Sequence, residues 1–166
     1  MAAPEIPLEQ NTVEEEILIA APPKRVFQAL VDPEQLLQWW GQKGIYRGKR
    51  WTTDLRPGGK WRSEGTSERD GSPFEVHGEY LQIDPPRLLE FTWIASWAGP
   101  MNTVVRIELS PSSGGTLVRL RHSGFTTPAQ LQAHRGWPQV LGWLQAFLEK
   151  GETVSMRTPF SPPNRA

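Results

Sequence analysis

The chain has 166 residues, of which 37% are hydrophobic and 22% are charged, a composition typical of one globular domain rather than of a disordered chain. Because 18 basic residues balance 18 acidic ones, the net charge gives no reason to expect binding to nucleic acid or to an anionic membrane. The absence of Cys excludes disulfides, thiol nucleophiles and thiolate metal sites. Eight Trp residues are the compositional outlier, and they must dominate either the core or the wall of a cavity.

The sequence shows neither a recognisable secretory leader nor an apolar stretch of membrane-spanning length. We therefore expect a cytoplasmic protein without stable membrane insertion. Residues 1–11 are predicted to form a flexible N-terminal arm, residues 12–151 a single domain, and residues 152–166 a C-terminal tail, because both ends of the chain are rich in Pro.

A strand and two short helices are predicted at the start of the domain. Apolar residues alternate over residues 13–19, which indicates a strand with one apolar face. A helix then begins at the prolines 22–23, since the first N–H groups of a helix have no partner within it. Asp32 is the predicted N-cap of a second helix, which ends in the pair Trp39 and Trp40.

Three antiparallel hairpins follow these helices. Their strands alternate apolar and polar residues, and their connections contain Gly, which permits positive φ, or Pro, which cannot donate to a strand ladder. The predicted hairpins comprise residues 49–55 with 60–66, 74–83 with 87–95, and 103–109 with 116–123.

The final helix is the clearest periodic element. Its apolar residues recur every three or four positions and form one continuous stripe, before Gly151 ends the helix. The stripe consists of Trp137, Val140, Leu141, Leu144, Phe147 and Leu148. Because a long helix with one apolar face follows several hairpins, the sheet must curve around it. The sequence therefore predicts an α+β helix-grip fold with an antiparallel sheet of six or seven strands around the C-terminal helix.

Five segments of the sequence match the motifs of one family, and they occur in the same order. They are residues 21–40, 54–61, 78–93, 116–125 and 134–137. Because of these segments, residues 13–150 resemble the SRPBCC or START-like helix-grip superfamily of lipid-transfer and polyketide-cyclase proteins. Within it the chain is most similar to the branch named after the activator of the heat-shock-protein-90 ATPase. The resemblance implies the helix-grip fold, with two short helices after the first strand, in a superfamily of carriers, receptors and cyclases.

The predicted ligand site is a cavity between the sheet and the final helix. Large aromatic residues alternate with small ones on the strand faces assigned to the interior, which indicates that the interior is not filled uniformly. The candidate ligand-binding residues are Trp39, Trp40, Trp61, Ser63, Phe91, Trp93, Trp97, His122 and Trp143. These residues and the resemblance favour a small hydrophobic or amphipathic ligand, such as a lipid, a sterol, a polyketide or an aromatic compound. No motif predicts a cofactor or a metal ion.

The candidates for acid–base chemistry are His122 and the pair His77 and Glu79. His122 shares the apolar face of the last strand, where it could act as a general base or be hydrogen-bonded within the core. His77 and Glu79 share one strand face, for which an exposed polar surface is favoured over a base or metal pair. Without an accompanying acid–base constellation, no residue is assigned a catalytic role.

Two alternatives to ligand binding stay open at this point. The name of the nearest branch suggests a protein-interaction module with a chaperone partner. A cyclase-like or hydrolase-like enzyme, with His122 or Glu79 as the proton-transfer group, is the second alternative. The sequence also leaves open whether two copies pair as a homodimer through an exposed tryptophan surface.

Overall fold

The computed structural model describes residues 11–98 and 101–157. Its strands form one antiparallel sheet in the order β1-β8-β7-β6-β5-β4-β3-β2. The strands are β1 (Thr12–Ile19), β2 (Gly41–Gln42), β3 (Tyr46–Thr53), β4 (Lys60–Ser67), β5 (Pro73–Asp84), β6 (Leu88–Ala95), β7 (Thr103–Ser112) and β8 (Gly115–Ser123). The helices are α1 (Pro23–Val31), α2 (Pro33–Trp39), α3 (Pro128–Ala133) and α4 (Trp137–Lys150), followed by a short 3-10 helix (Val154–Met156). The predicted α+β helix-grip architecture is confirmed.

Over residues 11–98 and 101–157 the sheet has eight strands, so the prediction of six or seven is wrong. The additional strand is β2, which consists only of Gly41 and Gln42 and pairs with the start of β3. Two residues are too few to produce an alternating pattern, which is why the sequence did not reveal this strand. Helix α3 was not predicted either. It has six residues, and the hydroxyl of its N-cap, Thr127, accepts the Gln130 N–H at 3.2 Å.

The two faces of the sheet differ sharply in burial. On β6 the residues Leu89, Phe91, Trp93 and Ala95 are all at most 8% exposed, whereas the residues between them are half-buried. The opposite face carries cross-strand ion pairs, such as the one between Arg119 on β8 and Glu16 on β1 at 3.3 Å. The buried, concave face of the sheet therefore faces the helices and the interior of the domain.

Helix α4 fills the concave face of the sheet. It buries its apolar stripe, and Gly151 ends the helix in the left-handed conformation with φ of 68°. The Gly151 N–H donates to the Phe147 carbonyl at 2.9 Å, so one of the last carbonyls of the helix is satisfied.

The pair of tryptophans at the end of α2 is divided between two environments. Asp32 caps α2 by accepting the Glu34 N–H at 3.0 Å, as the sequence predicts. Trp39 is 1% exposed and donates its indole N–H to the Ala29 carbonyl of α1 at 2.9 Å. Its neighbour Trp40 packs against Trp93 on the sheet, with ring centroids 6.2 Å apart.

Within the first six residues of the predicted C-terminal tail, 152–157, Val154 and Arg157 are buried against the domain. Arg157 is only 6% exposed, and its guanidinium donates to the carbonyls of Trp39 at 2.7 Å, Gly41 at 2.6 Å and Trp143 at 3.1 Å. This one side chain therefore joins the end of α2, β2 and α4. Residues 1–10 of the predicted arm and residues 158–166 of the tail lie outside the described part of the chain.

Replacing Arg157 with Met should lower the stability of the domain. The substitution keeps the apolar stem of the side chain but removes the guanidinium that donates to three backbone carbonyls, and we expect a loss of about 2–4 kcal/mol in the free energy of unfolding. Urea denaturation measures this change. Arg135→Met, at an exposed position, is the matched control and should change stability little. Equal stability of the two variants would contradict the anchoring role of Arg157.

Candidate ligand-binding site

A cavity of about 500 Å³ lies between strands β3–β6 and the connection of α3 with α4. Its volume falls within the range of pockets that hold small organic molecules. Residues from four strands, from the end of α2 and from the first turn of α4 line it. The site is therefore built where the concave face of the sheet meets the beginning of α4.

Five tryptophans at this cavity form a closed ring of contacts, which we term the tryptophan cluster: Trp40, Trp51, Trp61, Trp93 and Trp137. Successive ring centroids around the cluster lie 5.3, 6.2, 5.7, 5.2 and 5.8 Å apart. These separations are typical of favourable aromatic pairs. The cluster gives the cavity a rigid, apolar and strongly aromatic wall.

Glycine makes room for two aromatic rings of this wall. A Cβ atom on Gly78 would lie 2.7 Å from the Trp61 indole nitrogen and 1.9 Å from the Thr92 carbonyl oxygen. A Cβ atom on Gly65 would lie 2.5 Å from the ring of Phe74, which also lines the cavity. Neither position tolerates a larger residue, because the rings lie directly over the backbone.

Three indole N–H groups of the tryptophan cluster are hydrogen-bonded within the protein. Trp40 donates to the Tyr46 hydroxyl at 2.9 Å, and Trp61 donates to the Thr92 carbonyl at 3.2 Å. Trp137 donates to Nδ1 of His122 at 3.1 Å. Burial raises the pKa of Tyr46, so its hydroxyl stays protonated at neutral pH. These bonds fix the orientations of the rings that surround the cavity.

His122 lies at the centre of a hydrogen-bond chain beneath the cluster. Because Nδ1 accepts from Trp137, the proton of the neutral ring lies on Nε2, which donates to the Thr103 hydroxyl at 2.7 Å. Thr103 in turn donates to the Trp93 carbonyl at 2.8 Å. Burial, with a smaller contribution from nearby His134, lowers the pKa of His122 to about 2. Both ring nitrogens are thus engaged within the core, as expected of a structural histidine.

The predicted ligand-binding residues divide into two groups. Those that line the cavity are Trp40, Trp61, Ser63, Trp93 and Trp97. The structure places the other four elsewhere, namely Trp39, Phe91, His122 and Trp143. Whether any of the nine contacts a ligand stays a prediction.

Each of these four residues lies outside the cavity for a different local reason. Trp39 packs against α1, and His122 lies beneath the cluster. Phe91 is two residues from Trp93 on the same strand face and lines a separate void of about 30 Å³. Trp143 lies further along α4, where its indole N–H donates to the Gln42 side chain at 3.3 Å.

Several lining residues were not identified from the sequence as ligand contacts. Trp51 faces Ser63 across the β3–β4 ladder, so the register places it on the cavity face. Trp137 was assigned to the apolar stripe of α4, and its place in the first turn brings it to the cavity. Tyr46, Phe74 and His134 also line the cavity.

The predicted polar pair His77 and Glu79 lies outside this site. Both residues are exposed, and Nδ1 of His77 lies 3.2 Å from a carboxylate oxygen of Glu75. Within residues 11–98 and 101–157, no three His, Asp or Glu side chains are grouped in a way that could hold a metal ion. None of the helices in these same ranges is long and apolar enough to cross a membrane.

Comparisons with known proteins identify relatives of the chain. Residues 20–149 match the family model described as Activator of Hsp90 ATPase homolog 1-like protein. Protein CV1439 from Chromobacterium violaceum is 30% identical, with 84% of this chain and 97% of that chain covered and a TM-score of 0.75. The AHSA1-like protein from Aeromonas hydrophila is 23% identical, with 84% and 93% covered and a TM-score of 0.69.

A third structure in the comparison is DynU16, described as a putative protein in the dynemicin biosynthetic locus. It is 24% identical over 87% of this chain and 49% of that chain, with a TM-score of 0.67. Among curated proteins, no sequence matches the chain significantly.

The buried His122 should make the stability of the fold depend on pH. Between pH 6.5 and about pH 2 only the unfolded chain binds a proton at this residue, so the free energy of unfolding falls as the pH falls. From pH 7 to pH 5 we expect His122 to account for a loss of about 2 kcal/mol. In His122→Gln this component of the pH dependence should disappear, as measured by urea denaturation at each pH.

The matched control for this experiment is His77→Gln, which changes an exposed histidine on the outer face. This variant should retain the wild-type loss of stability between pH 7 and pH 5. A His122→Gln variant with an unchanged pH profile would show that His122 is accessible to protons in the folded state.

Proposed function

The chain belongs to the Activator of Hsp90 ATPase homolog 1-like family, and we propose that it binds a small aromatic or amphipathic molecule in the cavity lined by the tryptophan cluster. The observation that carries this proposal is the tryptophan cluster, whose five mutually contacting indoles line one space of about 500 Å³. Flat ligands gain both apolar burial and ring–ring contacts against such a wall. Lipid, sterol and polyketide ligands belong to the same proposal, and planar aromatic rings match the wall best.

The rim of the cavity favours a ligand with one polar end. Ser67, Arg69 and Ser72, which belong to the β4–β5 turn region, contribute polar groups to the lining. Trp97 is 48% exposed and stacks on the His134 ring with centroids 5.9 Å apart. An amphipathic molecule would bury its rings against the cluster and leave its polar end near this rim.

The composition of the wall supports binding rather than acid–base catalysis. Among the described lining residues there is no Asp or Glu, and the titratable groups are Tyr46, Arg69 and His134. General acid–base catalysis is most efficient with a group whose pKa lies near the working pH. The pKa of Tyr46 is raised and that of His134 is lowered by burial, so both move away from neutrality.

The similar structure DynU16 also supports binding of a small molecule, since its description places it in the biosynthetic locus of dynemicin. The family description instead supports a chaperone-activating interaction as a second candidate function. A protein interface usually requires a contiguous apolar patch. Because Trp97 is the one exposed aromatic residue among the described large hydrophobics, we rank protein interaction below ligand binding.

Naphthalene should bind to the protein and quench its tryptophan fluorescence. Replacing Ser63, a 5% exposed lining residue, with Leu would place a branched side chain in the cavity, and we expect naphthalene affinity to fall at least tenfold. Isothermal titration calorimetry provides an independent measurement of the affinity.

Thr66→Leu is the matched control, because Thr66 lies on the same strand with its side chain on the opposite face. This variant should bind naphthalene within twofold of the wild type. Failure of naphthalene to bind to the wild type, or full affinity in Ser63→Leu, would contradict the proposed site.

A further inference from the structure

One hydroxyl of the cavity wall has no partner within the part of the chain that the structure describes. Ser63 on β4 lines the cavity and is 5% exposed, and its hydroxyl makes no hydrogen bond to a described residue. The unpaired polar atoms that are sealed from solvent belong to other side chains, namely Trp93, His134 and Arg157. Solvent therefore reaches the Ser63 hydroxyl, and the space from which it does so is the cavity. A buried side chain with an unpaired polar group calls for an explanation.

The other described serines of the lining, Ser67, Ser72 and Ser96, differ from Ser63 in both respects. Backbone N–H groups donate to the hydroxyls of Ser67 and Ser96 at 3.3 and 3.0 Å, and Ser72 donates to a carboxylate oxygen at 2.6 Å. These three residues are half-buried or exposed. Ser63 therefore offers a hydroxyl inside the cavity that the protein itself does not use.

Ser63 lies between two indoles of the tryptophan cluster. Trp61 precedes it by two residues on the same face of β4, and Trp51 is its partner across the β3–β4 ladder. The Cβ atoms of directly opposed residues on antiparallel strands lie about 5 Å apart. A flat ligand that packs against Trp51 or Trp61 therefore lies beside the Ser63 hydroxyl, which can reach a substituent on the edge of its ring.

We propose that the Ser63 hydroxyl forms a hydrogen bond with an oxygen substituent on the ring of an aromatic ligand bound against the tryptophan cluster. The inference rests on the proposed function and specifies the class of ligand, with a polar contact inside the cavity in addition to its polar rim. A hydrocarbon ligand would displace water from Ser63 without replacing its hydrogen bond, and it binds more weakly for that reason. A phenolic hydroxyl matches Ser63 in either direction, since both groups donate and accept.

Naphthalene, 1-naphthol and 2-naphthol test this proposal on the wild-type protein. The two naphthols carry the hydroxyl at different positions of one ring system, so they sample two placements of the oxygen while the rings stay against the cluster. We expect the tighter-binding naphthol to exceed naphthalene in affinity by about fivefold, as measured by isothermal titration calorimetry. Apolar burial alone gives the opposite order, because the naphthol hydroxyl must be desolvated.

Ser63→Ala removes the hydroxyl and retains the rest of the wall. In this variant the affinity for the naphthol should fall to that for naphthalene or below it, whereas the affinity for naphthalene should be retained or rise, because no serine hydroxyl is desolvated. Without a ligand the variant should be as stable as the wild type in urea denaturation, since no hydrogen bond within the protein is lost. Thr66→Val is the matched control: it removes a hydroxyl from the opposite face of β4 and should retain the wild-type ratio of affinities.

The ratio of the naphthol and naphthalene affinities separates this inference from the proposed function. Equal affinity of the wild type for naphthalene and both naphthols would overturn the recognition by Ser63 and leave the ligand site intact. An unchanged ratio in Ser63→Ala would overturn it as well. A marked loss of stability in unliganded Ser63→Ala would do the same, because it would assign the hydroxyl to a structural partner such as a resident water. Failure of all three probes to bind would overturn both proposals.

Discussion

The hydrogen bond from the Trp137 indole to His122 joins the first turn of α4 to β8, and the geometry of the cavity depends on it. It fixes the tautomer of His122, which in turn directs Thr103 toward the Trp93 carbonyl. The two tryptophans at the ends of this chain, on α4 and on β6, are adjacent members of the cluster, 5.2 Å apart. A polar chain buried beneath an aromatic wall therefore determines how far the helix stands from the sheet.

Rigid rings also explain how a space persists inside a small domain. Aliphatic side chains interdigitate and fill an interior, whereas five indoles in stacked, tilted and edge-on contact with one another resist collapse. The ring of Trp61 is held against the backbone at Gly78, and that of Trp40 is fixed through Tyr46. The cavity is thus a consequence of packing with flat, hydrogen-bonded residues, and it does not require a missing side chain.

The fold was largely predictable from the sequence because the patterns that identify its strands and helices lie within short segments of the chain. Alternation and turn residues located the six hairpin strands, and the apolar stripe located α4. The site was only partly predictable, since alternation assigns a face and not a position along it. Phe91 and Trp93 share a face, yet only Trp93 reaches the cavity. Arg157 acts through carbonyls of distant segments, which no local pattern encodes.

The pairing of β1 with β8 has a consequence for the order of folding. Ile19 of the first strand pairs with Thr116 of the last, and six other strands lie between them in the sequence. Consecutive hairpins can form early through contacts between sequence neighbours, whereas β1 has no strand partner until β8 is in place. Closing this long loop costs entropy before it yields contacts, so we expect the edge of the sheet beside α4 to assemble late in folding.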